Sequence, residues 1–98
     1  MPIERRITIK TAPPGSSPRV TFDPNPLQAG QMDQIFWSND DTQAHWPGVP
    51  GNPTYFMPNQ IAPGGDVSPV FSTVTSGTIN YVCSLPGHQN ESGSIVIA

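Results

Sequence analysis

A chain of 98 residues with a formal net charge of −3 has room for one domain, residues 1–98, and not for two. Four Lys plus Arg leave no basic stripe for a phosphate backbone, so nucleic-acid binding has no support. A single cysteine, Cys83, excludes an internal disulfide, and 13 prolines with 9 glycines favour short strands and turns over long helices.

Ile3, Ile7 and Ile9 alternate with Glu4, Arg6, Thr8 and Lys10, the pattern of a half-buried strand. Arg5 breaks the apolar series and predicts an edge position. The charges of Met1–Lys10 stand where the apolar stretch of a secretory leader would lie. Nowhere is an apolar run long enough to span a bilayer. Thr11 to Pro18 is a turn-rich connection, and Arg19 to Phe22 a short second strand closed by Asp23-Pro24-Asn25-Pro26. Leu27 to Gln31 leads into a strand over Asp33–Asn39, with Ile35 and Trp37 on one face.

Asp40 to Gln60 carries four prolines and two glycines and predicts a long irregular excursion, the kind of loop that tends to hold function. Asp66 to Thr73 reads as a strand in which Pro69 marks an edge or a bulge. Gly77–Ser84 and Ser94–Ala98 supply the last two strands, separated by Leu85-Pro86-Gly87-His88. The expected architecture is all-β, one Greek-key sandwich of about seven strands.

The chemistry concentrates in Tyr81-Val82-Cys83-Ser84-Leu85-Pro86-Gly87-His88. A thiolate at a strand end and an imidazole beyond a Pro-Gly turn can converge on one ion. The second imidazole has to be His45, since the chain has two histidines in all. Two nitrogens and one thiolate describe a blue-copper electron-transfer site, usually with a weak fourth ligand.

These segments resemble the cupredoxin family. Phe36-Trp37-Ser38-Asn39-Asp40-Asp41 followed by His45 is similar to the first half of its pattern, and Tyr81-x-Cys83, His88, Gly93 and Ile95 to the second. The Cys-Ser-Leu-Pro-Gly-His loop looks like the ligand loop of azurin- and plastocyanin-type proteins. The resemblance implies one copper ion per chain on His45, Cys83 and His88, a Cu(II)/Cu(I) shuttle, and a periplasmic or other extracytoplasmic location. It also implies a monomer whose redox partners dock near His88, on an apolar rim of Leu85, Pro86, Pro13, Pro14, Met57 and Pro58.

One departure stands out. The family places a methionine two residues before the glycine that opens the last strand, and here that position is Glu91. Met1, Met32 and Met57 all lie elsewhere. The fourth ligand is then Glu91, the Ala44 carbonyl, solvent or nothing. Backbone N–H groups of Leu85 and Trp46 are expected to tune the thiolate, because Pro86 has none to give.

Other readings are an Ig-like interaction module, suggested by Tyr81 before Cys83 and Trp37 on an earlier strand, and a copper storage or delivery domain. The Ig-like reading lacks its second cysteine. Asp40 and Asp41 read as a solvent-facing pair, without the further acidic spacing of a calcium loop or an acid/base dyad. With both histidines committed to one ion, a second, catalytic copper cannot be built, and the chain is expected not to be an enzyme.

Overall fold

The structure is a computed structural model that describes residues 3–15, 19–49, 60–73, 76–85 and 90–98. Nine strands follow in chain order: β1 (Glu4–Thr11), β2 (Val20–Asp23), β3 (Leu27–Ala29), β4 (Gln34–Asn39), β5 (Pro47–Gly48), β6 (Asp66–Val67), β7 (Phe71–Ser72), β8 (Gly77–Cys83) and β9 (Ser92–Ile97). They form two sheets. One runs β2-β1-β4-β6, with β7 also on the outer edge of β4, and the other runs β3-β9-β8-β5. No helix among the described residues is long and apolar enough to cross a membrane.

The alternation read from the sequence has a direct packing counterpart. Ile7 and Ile9 of β1, Val20 and Phe22 of β2, and Ile35 and Trp37 of β4 point inward from the first sheet. Leu27, Ala29, Tyr81, Ile95 and Ile97 meet them from the second. Three aromatic rings bridge the layers: Phe22 and Trp37 stand edge-on to Tyr81, with ring centroids 5.0 and 5.3 Å away. Such pairs contribute about 0.5–1.5 kcal/mol each beyond their buried area.

Two expectations change in detail. The all-β sandwich holds, but with more strands than about seven. Leu27–Ala29 is a strand of its own, parallel to β9. Pro69 divides the expected Asp66–Thr73 strand into β6 and β7, each pairing separately with β4. Strand β1 is interior, antiparallel to β2 and parallel to β4, so Arg5 does not mark an edge. Its guanidinium is instead answered by a carboxylate, with Arg5 Nε donating to Asp33 Oδ2 at 2.6 Å.

The topology brings the chemistry to one end of the sandwich. Strand β4 runs to Asn39 there, and β5 pairs Pro47 with Cys83 at the end of β8. The β8–β9 pairing then returns the chain through Ser92, directly after Glu91.

Candidate metal centre

His45 sits between β4 and β5, where its backbone exchanges hydrogen bonds with Ile61, N to O at 3.2 Å and O to N at 2.7 Å. Asn39, fully buried at the end of β4, closes the preceding turn. Its side-chain amide donates to the carbonyls of Gln43 (2.8 Å) and Ile61 (2.9 Å), and its Oδ1 accepts from the Asp41 N–H (3.0 Å). That turn delivers the imidazole to the interior, where it is 0% exposed.

Cys83 ends β8 and is also fully buried, so its side chain leans on the same interior face as Tyr81. Its N–H donates to the Glu91 carbonyl at 2.8 Å, which ties the two residues across the strand pair. Glu91 is only 4% exposed, unlike the solvated loop carboxylates most glutamates become.

Three candidate donor atoms converge. Cys83 Sγ lies 3.7 Å from His45 Nδ1, and Glu91 Oε1 lies 3.1 Å from the same nitrogen. All three atoms lie within 4.8 Å of one another. Metal–sulfur and metal–nitrogen bonds of about 2.3 and 2.0 Å, at trigonal to tetrahedral angles, require an S···N separation of about 3.5–3.8 Å. The observed spacing and the soft S, N donor set therefore fit an ion such as copper held between them. His88 lies outside the described residues, as do Pro86, Met57 and Pro58 of the expected apolar rim.

The surroundings bias the thiol. Burial pushes the Cys83 thiol up, N–H groups of Trp46 and Leu85 pull it part of the way back, and the nearby Glu91 charge pushes it up again. The Trp46 N–H points at Sγ over 3.4 Å. These are the two tuning donors expected from the sequence.

Sequence reasoning missed Asp41. Far from facing solvent, it is 5% exposed, with Oδ2 2.7 Å from His45 Nε2 and Oδ1 accepting from the Thr11 hydroxyl. Burial would raise its carboxyl, but the hydrogen bonds from Thr11, His45 and the Thr42 N–H outweigh that and leave it below the ordinary range. The only sequence signal was its place four residues before His45, next to the residue that faces outward, Asp40.

No protein-family model and no curated protein matches the chain by sequence. Its backbone does have counterparts among solved structures. It superposes on a purple cupredoxin from Nitrosopumilus maritimus with a TM-score of 0.73 at 17% identity, over 95% of this chain and 98% of that one. Amicyanin from Paracoccus versutus gives a TM-score of 0.72 at 10% identity, over 99% and 81%. A copper-containing nitrite reductase from Thermus scotoductus gives 0.69 at 17% identity, with all of this chain covering 22% of that one. Two mixed sheets, the order of their strands and these superpositions agree: the chain is built on the cupredoxin fold.

Proposed function

We propose that the chain is a mononuclear copper protein that carries electrons, with His45, Cys83 and His88 as principal ligands and Glu91 as the fourth. The reading is carried by one observation, the convergence of His45 Nδ1, Cys83 Sγ and Glu91 Oε1 in a buried cluster. Its position at the end of a cupredoxin-fold sandwich adds support. Thiolate and imidazole in one small site are donors that suit copper, whereas hard cations prefer all-oxygen cages.

Bound copper supplies a one-electron Cu(II)/Cu(I) couple. Cys83 gives up its thiol proton on binding and holds the ion as a thiolate. The backbone bridge to Ile61 anchors the main chain at His45, and Asp41 Oδ2 holds the ring at Nε2. Glu91 places an anionic oxygen where a thioether would be softer, and so favours the divalent ion. His88 completes the ligand set and gives the electron its exit toward a partner. Both histidines of the chain then serve one centre, which makes it a carrier and not an enzyme. An extracytoplasmic location goes with that reading.

Titration with Cu(II), followed by absorption and EPR, tests the proposal. One copper per chain and an intense thiolate-to-copper band are expected, and Cys83→Ser should lose both the band and most of the affinity. Should the protein stay colourless and indifferent to copper, a metal-free interaction module on the same fold is the better description. Retention of the same band in Cys83→Ser would remove the thiolate assignment.

A further inference from the structure

A ligand histidine has two ring nitrogens, and which one binds metal is decided by what holds the other. In this chain the imidazole of His45 is gripped on its far side. Asp41 Oδ2 stands 2.7 Å from Nε2, both groups are buried, and a carboxylate can only accept there. Nε2 therefore keeps its hydrogen, and Nδ1 points to the space it shares with Cys83 Sγ and Glu91 Oε1, where an ion would take the place of any proton on it.

Asp41 is itself held at its carboxylate and at its backbone. Thr11 at the end of β1 donates its hydroxyl to Oδ1, and the Asp41 N–H is fixed by Asn39 Oδ1. The register explains why Thr11 is available: the β1–β4 pairing runs parallel up to Ile9 beside Asn39, so both strands reach the same end of the sandwich. Nothing in this chain of contacts is apolar, and all of it leads to one ring.

We propose that Asp41, oriented by Thr11, is a positioning residue of the copper centre that fixes His45 for Nδ1 ligation and biases the site toward Cu(II). This rests on the reading of His45 and Cys83 as copper ligands. A carboxylate one imidazole away makes that imidazole a stronger donor, and its charge is felt more by the divalent ion. It also adds a second buried anion beside Glu91.

The test compares wild-type protein with Asp41→Asn and Thr11→Val, each loaded with Cu(II) and, separately, with Cu(I). Asparagine keeps an oxygen that can accept from Nε2–H and removes the charge. Loss of such an outer partner lowers metal affinity about 10–100-fold. For Asp41→Asn the expected result is a fall in Cu(II) affinity at least tenfold greater than any fall in Cu(I) affinity. A tenfold change in that ratio raises a one-electron potential by about 59 mV. Thr11→Val should keep most of the potential and broaden the EPR signal, because the charge stays while its orientation loosens.

A purely structural role predicts equal losses for the two oxidation states and an unmoved potential, and that result would overturn the proposal. If Asp41→Asn does not fold, ¹⁵N spectra of the wild-type Cu(I) form decide the matter: a protected proton on His45 Nε2 is expected, and metal on Nε2 overturns it. Wild-type protein that takes up no copper at all would sink the copper reading and this one together, whereas normal loading with an indifferent Asp41→Asn sinks this one alone.

Discussion

The Glu91 carboxylate meets His45 at 3.1 Å through Nδ1, the same ring nitrogen that faces the Cys83 sulfur at 3.7 Å. In the proposed centre Glu91 would be an anionic fourth donor where the resemblance leads one to expect a thioether. Axial ligand identity is one of the levers on a blue-copper potential. Glu91→Gln should raise the potential and move thiolate-to-copper intensity to longer wavelength, and Glu91→Met should do both more strongly. Voltammetry and absorption read the outcome. Unchanged values in both variants would leave Glu91 as a buried bystander.

Metal uptake should depend on pH through Cys83. Its thiol is raised above the ordinary range, so the metal-free protein is protonated there at neutral pH. Binding a thiolate releases that proton, and apparent Cu(II) affinity should climb with pH across the neutral range. Calorimetry in two buffers of different ionisation enthalpy counts the released proton. The same shift has a stability consequence for the metal-free chain. A folded-state value above the unfolded one means stability is intact below the unfolded thiol value of about 8.5 and declines as pH rises past it. Cys83→Ser should abolish that decline.

Gly93 lies directly opposite Tyr81 in the β8–β9 pairing, and the phenol ring rests on it. A Cβ on residue 93 would collide with the Tyr81 hydroxyl, Cζ and Cε1, in a core where the ring has no room to retreat. Gly93→Ala should cost about 1–3 kcal/mol, measured by urea unfolding. Tyr81→Phe should rescue part of it. On its own, Tyr81→Phe should change stability by no more than about 1 kcal/mol, because among the described residues the buried hydroxyl has no well-formed hydrogen bond to lose.

At the far end from the metal cluster, Asp33 is an acid-sensitive point of the fold. The Arg5 guanidinium lowers its carboxyl, as do the N–H groups of Gly30 and Ile3, and together they outweigh burial. With the folded value below the unfolded one of about 3.9, the contribution is present above that pH and vanishes as pH falls through the folded value. Asp33→Asn should therefore be less stable than wild type at pH 7, with the gap closing in acid. A gap that persists at low pH would assign the loss to packing instead.

Electron exchange should be sensitive at Leu85, two residues beyond Cys83 and half-buried. Weak redox encounters use small, mostly apolar contacts. Leu85→Glu should slow self-exchange while leaving the absorption spectrum largely unchanged. Equal rates in the two proteins would move the docking surface elsewhere.

How much of this was legible in sequence follows from the range of each interaction. The alternation of Ile7 and Ile9, and of Ile35 and Trp37, is a local property of the strand and was read correctly. The approach of His45 to Cys83, 38 residues apart, was reachable because the chain has only two histidines, and the resemblance added the register. Asp41 was misread because its partner Thr11 lies 30 residues earlier, and no local pattern announces a hydroxyl arriving from another strand. The interior place of β1 was hidden for a like reason: parallel pairing with β4 leaves no turn signal to find.

The run of contacts from Thr11 through Asp41 and His45 to Cys83 and Glu91 starts in one sheet and finishes in the other. Across the middle of the sandwich the layers meet through packed side chains, among them Phe22, Trp37 and Tyr81. At this end they meet through polar groups, and an ion gripped by them is a cross-link between layers, in a chain of 98 residues that has no disulfide to do that work. Its binding free energy is then also free energy of folding, added as RT ln(1 + [M]/Kd). The same atoms that hold a redox ion would act as a removable rivet, and a chelator would loosen the sandwich from this end first.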